Sequence, residues 1–315
     1  MIACKSFNRL FLTNKTYPET MKSILTLFLL LAFPLLAEPN KSSEPKKEKA
    51  TKTASPIKPA KVVKRRGKFI DYESDNFKGI GYLVLPEGAS SEKPVPGVIV
   101  VHEWWGQDNY VRKRAEMLAD LGYAAFAIDM YGECRHTTVP LEAGHLMVNS
   151  FFTPYIARQR FEMGMKTLQA QPQVDSTQIA AIGYSVGGLM ALQMAVHNSD
   201  LLAIAAFHSG PNIDISDKVK SIKAKLLVCH GEADSLIPEE DIAEFKANMK
   251  QRNADLTFES YPGVTNGFTN PASTALGKKH ETDAAYNKEA DEKSWTSLKK
   301  LLSSAFSGPN SKSNN

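Results

Sequence analysis

From residue 67 onward, short apolar runs alternate with stretches whose apolar residues recur at helical spacing. Gly79–Leu85 predicts a strand. Gly97–His102 reads Gly-Val-Ile-Val-Val-His, nearly continuous in apolar character, which predicts a central parallel strand covered on both faces. Tyr110–Leu121 follows as a helix, with Val111, Ala115, Leu118 and Ala119 on one stripe. Further strands are predicted at Ala124–Asp129, Gln178–Gly183, Leu202–Phe207, Ala224–Cys229 and Leu256–Glu259. Helices are predicted at Glu142–Asn149, Pro154–Ala170, Val186–His197, Glu239–Arg252 and Asp283–Ala305. Alternating strands and helices with apolar strands imply a single α/β domain, a doubly wound, mostly parallel sheet with helices on both faces.

The region before residue 67 has a different pattern. Met21-Lys22 leads into an apolar run that ends at Ala37. A charged start, a short apolar core and a terminal Ala are the logic of a cleaved export signal. The run is short for a transmembrane helix, which needs about 20 residues. Residues 1–37 are therefore read as an N-terminal extension plus signal peptide, with Met21 the more natural start and export to the periplasm or the exterior expected. Residues 38–66 carry Lys, Pro, Ser and Thr with little to bury, as a disordered linker does. Residues 307–315 form a polar tail.

Composition changes the picture in two places. With 43% hydrophobic residues in 315, the chain can bury a sizeable core. The formal net charge of +4 comes from the N-terminal region, because residues 67–315 hold 24 basic against 30 acidic side chains. The folded part is thus mildly acidic, and a nucleic-acid partner is not expected. The linker's charge would at most hold it near an anionic envelope surface. Cys134 and Cys229 lack zinc-type spacing, so no metal or other cofactor is expected. Two cysteines in an exported chain permit a disulfide without implying one, and the oligomeric state is not legible.

The chemistry concentrates at predicted strand ends, where open α/β sheets place their sites. Ile179–Ala195 is an apolar strand, a Gly-Tyr-Ser-Val-Gly turn and an apolar helix. This context predicts a nucleophile elbow with Ser185 at its tip. Asp234 follows a later strand, where the acid of a Ser, Asp, His chain order belongs; the alternative is an N-cap for the helix near Pro238. The loop after the last strand should then supply a histidine. It reads Tyr-Pro-Gly-Val-Thr-Asn-Gly-Phe-Thr-Asn-Pro over 261–271, with Asn266 and no histidine. An amide has no basic nitrogen and takes no proton from a serine. The later His280 lies in a polar stretch and reads as a solvated surface residue.

Several motifs in order resemble the dienelactone hydrolase family of α/β-hydrolases over about residues 68–306. They are Val-Val-His-Glu-Trp-Trp-Gly at 100–106, Ala-Ile-Asp-Met-Tyr-Gly at 127–132, Ile-Gly-Tyr-Ser-Val-Gly-Gly at 182–188, Phe-His-Ser-Gly at 207–210, His-Gly-Glu-Ala-Asp at 230–234 and Ala-Tyr-Asn-Lys-Glu-Ala-Asp-Glu-Lys-Ser-Trp at 285–295. The resemblance implies an α/β-hydrolase fold and hydrolysis of a small ester or lactone. It maps the nucleophile to Ser185, where the family typically has cysteine, the acid to Asp234, and the family histidine to Asn266. Glu103 matches a glutamate that contacts the resting nucleophile, and the oxyanion amides would be those of Trp104 and Val186. Thr269-Asn270 stands where the best-known members carry a substrate-binding arginine. His102, next to Glu103 on a strand, is expected to point away. Trp105, Tyr131 and Phe268 are expected to wall an apolar cleft. The serine–asparagine pairing predicts weak or atypical activity through Ser185 or, alternatively, an inactive member that binds a small ligand or partner in the same pocket.

Overall fold

A computed structural model of the chain describes residues 66–307 other than 75, 198, 199 and 217. The expected signal peptide, all of the linker but Arg66, and all of the tail but Ser307 lie outside the described residues. Eight strands form one sheet: β1 (Lys68–Ser74), β2 (Phe77–Val84), β3 (Val95–Val101), β4 (Ala124–Ile128), β5 (Val174–Tyr184), β6 (Leu201–Phe207), β7 (Lys225–Gly231) and β8 (Leu256–Tyr261). Their order across the sheet is β1-β2-β4-β3-β5-β6-β7-β8. β1 pairs antiparallel with β2, and β2 with β4. Every other pairing is parallel.

The described helices are α1 (Asn109–Asp120), α2 (Pro140–Phe151), α3 (Pro154–Gln169), α4 (Val186–Val196), α5 (Glu239–Gln251), α6 (Ser273–His280) and α7 (Lys288–Phe306). α1 and α7 bury their stripes in one apolar cluster with Val98, Val100, Ala180, Ile182, Ala205 and Leu227, alternate residues of the central strands. The other face packs on α3 and α4. A Cβ on Gly164 of α3 would meet Ile128 at 2.5 Å, and one on Gly188 of α4 would meet Ala206 at 3.1 Å. Both faces of the central strands are thus covered, which explains their uninterrupted apolar runs.

Three elements depart from the sequence reading. β1, Lys-Phe-Ile-Asp-Tyr-Glu-Ser, is an edge strand exposed along most of its length, so its polar composition hid it. α6 is short and polar and has no counterpart among the predicted helices. The last helix begins at Lys288 rather than Asp283, capped by Asn287, whose side chain accepts from the Ala290 amide at 3.0 Å. The segment before it is pulled away from helix by the loop after β8: Ala285 N donates to Asn266 O at 3.1 Å and Asn287 N to Phe268 O at 3.0 Å.

Candidate active site

Ser185 joins β5 to α4 at φ 51° and ψ −124°, a conformation L-residues rarely adopt. Strain of this kind costs about 1–3 kcal/mol and persists only where the surroundings impose it. Here they do. A Cβ on Gly183 would lie 2.1 Å from Gly187 O, and one on Gly187 would lie 2.4 Å from His102 O. The Ser185 amide donates to Phe207 O at 3.0 Å, tying the turn to the neighbouring strand. The hydroxyl therefore stands above the sheet at the start of α4. Val186 opens that helix, so its amide has no intrahelical acceptor and faces any negative charge beside Ser185.

The opposite wall is the turn after β3. Gly106 N donates to Glu103 O at 3.1 Å, and Gly106 takes φ +89°. A Cβ there would lie 2.3 Å from Arg135 O, so only glycine fits at this point of the turn. Tyr131 Oη donates to Trp104 O at 2.8 Å and fixes the Trp104–Trp105 peptide, the one after the peptide that carries the expected oxyanion amide. Tyr131 is 1% exposed and its ring packs on His102 and Phe151. Phe268 is 0% exposed, packed on His208 and Tyr261. These two, expected to wall the cleft, are core residues: one braces the Trp104 turn and the other roots the loop after β8. Trp105 is largely buried too, its ring 4.2 Å from that of Trp104 and 5.9 Å from that of His280. His280, expected on the surface in a loop, ends α6 against Trp105, its Nε2 buried without a hydrogen-bond partner.

The acid side assembles as a pair. Asp234 follows β7 and is 4% exposed. Its Oδ1 accepts from Leu236 N at 3.1 Å, and its Oδ2 from Asn266 Nδ2 at 2.8 Å. α5 starts later, after Pro238, so Asp234 is not its N-cap. The second Asn266 Nδ2 proton goes to His208 O at 3.1 Å. Burial pushes the Asp234 carboxyl up to about 6, against the hydrogen bonds from Asn266 and Leu236 that lower it. No hydrogen bond joins Ser185 Oγ to an imidazole among the described residues. His102 faces elsewhere: its Nδ1 lies 2.6 Å from Glu103 O, and its Nε2 accepts from Met130 N at 3.2 Å.

An elbow after β5, an acid after β7 and an amide after β8 stand in the order that the motifs led one to expect. The sequence profile of the dienelactone hydrolase family matches residues 80–306. The chain belongs to the dienelactone hydrolase family. It is 31% identical to the solved structure named m3DLH, over 76% of this chain and 98% of that one, with a TM-score of 0.71. It is 30% identical to a dienelactone hydrolase-like promiscuous phosphotriesterase from metagenomic libraries, with the same coverage and a TM-score of 0.70. It is 26% identical to Protein usf of Aquifex pyrophilus over 209 residues, 65% of this chain and 87% of that protein.

Within this dienelactone hydrolase scaffold, Glu103 is 5% exposed. Its Oε2 accepts from Asn270 Nδ2 at 2.7 Å, and its Oε1 lies 3.7 Å from His208 Nε2. No hydrogen bond joins it to Ser185 among the described residues. Burial, with Asp108 nearby, raises the Glu103 carboxyl to about 8. Burial, with Arg114 nearby, lowers His208 to about 3. Arg114 is a site residue that sequence reading passed over. It is 4% exposed, donates to Thr269 O at 2.6 Å and pairs with Asp291 of α7. A signal was present: Arg114 lies three residues after Val111 and four before Leu118, a charge on the buried stripe. Among the described residues, no disulfide joins Cys134 and Cys229, and no cluster of three or more His, Cys, Asp or Glu is placed to hold a metal.

Proposed function

We propose that this chain is an exported hydrolase that cleaves a small ester or lactone through Ser185, slowly, because an amide stands where the family histidine would be. Ser185 Oγ attacks the carbonyl carbon, the amides of Trp104 and Val186 receive the oxyanion, the alcohol departs, and water releases the acyl group from Ser185. Glu103 takes the serine proton, and only in the alkaline range, where its carboxyl is ionised. The observation that carries this reading is the Asp234–Asn266 hydrogen bond of 2.8 Å beside an intact elbow. The acid partner of a triad is kept while its base is replaced. The 30% identical relative described as a promiscuous phosphotriesterase supports an activated ester as the first probe.

Hydrolysis of p-nitrophenyl acetate and of a small lactone by the full chain should be slow and should vanish in Ser185→Ala. Asn266→His should raise it at least about 100-fold, the lower range for a positioned general base. Retained activity in Ser185→Ala would remove the serine from the mechanism. No turnover in either the wild type or Asn266→His would favour the second reading, a binding protein that uses the same pocket. That second reading has its own support in the absence, among the described residues, of an imidazole bonded to Ser185. Export is tested by fractionating cells that express the full chain. A mature N-terminus close to residue 38 is expected, and an unprocessed cytoplasmic protein would overturn it.

A further inference from the structure

Glu103 O and Trp104 N belong to one planar peptide, so whatever holds that oxygen also aims the expected oxyanion amide. Gly106 N donates to Glu103 O at 3.1 Å, which closes the turn after β3. His102 Nδ1 lies 2.6 Å from the same oxygen. The His102 ring is fully buried, and Tyr131 and Phe151 meet it edge-on with centroids 4.7 and 5.6 Å away. The reaction above leaves this histidine unused.

The other ring nitrogen decides which way the His102 contact runs. A backbone N–H can only donate, and Met130 N donates to His102 Nε2 at 3.2 Å. Nε2 therefore presents its lone pair, and the ring carries its hydrogen on Nδ1. The other tautomer would set an Nε2 hydrogen against the Met130 hydrogen, and an Nδ1 lone pair against a carbonyl oxygen at 2.6 Å. The cation would carry the same Nε2 hydrogen. His102 Nδ1 thus donates to Glu103 O. A hydrogen bond accepted at a peptide oxygen polarises the peptide and strengthens donation by its N–H. Met130 is itself held in place, because it sits between β4 and a segment that Asp129 ties down. Asp129 Oδ1 accepts from the amides of Tyr131 and Gly132, and Oδ2 from those of Ile80 and Cys134.

We propose that His102 is a positioning residue: its Nδ1 hydrogen, placed there by the Met130 amide, holds the Glu103–Trp104 peptide so that Trp104 N–H aims at the oxyanion formed beside Ser185. The inference rests on the reading of the Trp104 amide as an oxyanion donor. Tyr131 Oη holds the next peptide through Trp104 O, so the segment after β4 fixes the peptides on both sides of Trp104, the first through His102 and the second directly.

His102→Asn and His102→Leu separate this role from a merely structural one. The two side chains share one branched shape, and both leave the Met130 amide without its acceptor and the ring contacts unmade. Only asparagine keeps a donor at the place of Nδ1, so the difference between the variants reads that donor. NMR of the full chain, labelled with nitrogen-15 and carbon-13, gives two readings. Wild-type His102 should carry its hydrogen on Nδ1 at pH 7, with a scalar coupling across the hydrogen bond to the Glu103 carbonyl carbon. In a weakly aligned sample, the residual dipolar coupling of Trp104 N–H should match wild type in His102→Asn and change in His102→Leu. In p-nitrophenyl acetate hydrolysis, kcat should be at least about tenfold lower in His102→Leu than in His102→Asn, short of the roughly 10²–10³-fold cost of losing an oxyanion donor outright. KM should stay within about twofold, because the oxyanion exists only beyond the ground state. Should His102→Leu fail to fold, His102→Gln takes its place, since its amide reaches the position of Nε2 and keeps the Met130 bond. Wild-type His102 protonated on Nε2, or a Trp104 coupling unchanged in every variant, would overturn the proposal. Equal kcat in the two variants despite a tilted amide would overturn it too. A tilted amide with no ester turnover in any of the proteins would leave His102 as the residue that orients Trp104 N–H and remove only the hydrolase reading.

Discussion

On the β5 side of the site, backbone meets backbone with no slack. Ser185 is held in a rare conformation, and an added methyl at Gly183 would lie 2.1 Å from a carbonyl oxygen. On the β7–β8 side, the contacts are hydrogen bonds between side chains: Asp234 to Asn266, Asn270 to Glu103, Thr269 to His208. The backbone of the first half has no room to change at Gly183 and Gly187, because sterics leave one solution. In the second half Asn266 Nδ2 donates to Asp234, a bond that a ring N–H could equally make. The geometry of the elbow is thus set independently of the side chain that meets Asp234. A well-formed elbow is evidence for a pocket before it is evidence for a rate.

The contrast can be broken most forcefully at Gly183. Gly183→Ala should cost about 4 kcal/mol or more, the range reserved for backbone clashes and overpacked cores. Chemical denaturation or loss of soluble protein would register it, and a variant as stable as wild type would refute the account of the elbow. On the softer side, Asp234→Ala removes the acceptor of Asn266. A loss of about 1–3 kcal/mol at pH 5 is expected, the cost of an unmet buried donor. The loss should shrink as pH rises from about 4 to 6 and level off above that, because the Asp234 carboxyl is raised to about 6 and its charge is unfavourable where it is buried.

Glu103→Gln tests the same sign more sharply. A carboxyl whose folded pKa is raised contributes stability below its unfolded value and loses it as pH climbs through the folded one. With Glu103 raised to about 8, wild type should lose stability between about pH 4.5 and 8, and the glutamine variant should lose less. Melting temperatures that fall in parallel would contradict the raised pKa. The smallest effect belongs to Gly144 in α2, where an added Cβ would touch nothing within 4 Å. Gly144→Ala should stabilise by about 0.5–1 kcal/mol, the ordinary helical preference. The sign reversal between two glycines measures how far the elbow glycine is imposed by contact.

Much of this was legible in the chain. The apolar runs Gly97–His102 and Gln178–Gly183 became β3 and β5, because strands buried on both faces leave an unmistakable pattern. The edge strand β1 did not, since an exposed edge carries polar residues that read as loop. Among candidate site residues, Ser185, Asp234 and Asn266 are legible from their place after strands, and Glu103 from the family resemblance. Tyr131 and Phe268 were located correctly along the chain but given the wrong surroundings, because aromatic identity does not say which way a ring points. Arg114 was passed over because its partners Thr269 and Asp291 are distant in sequence.

The sequence by itself determined the layered architecture, the elbow and a loop over 261–271 that holds an asparagine and no histidine. Periodicity, tight glycine spacing and residue identity are local properties, read over a few positions. Only the tertiary structure decided that Asn266 satisfies Asp234, that Asn270 and His208 close on Glu103, and that Arg114 stands behind them. Those facts depend on which strand ends become neighbours and on how far burial raises one carboxyl and lowers one imidazole. Desolvation and partnership arise between segments up to 177 residues apart, as in the Arg114–Asp291 pair, and no local pattern encodes them.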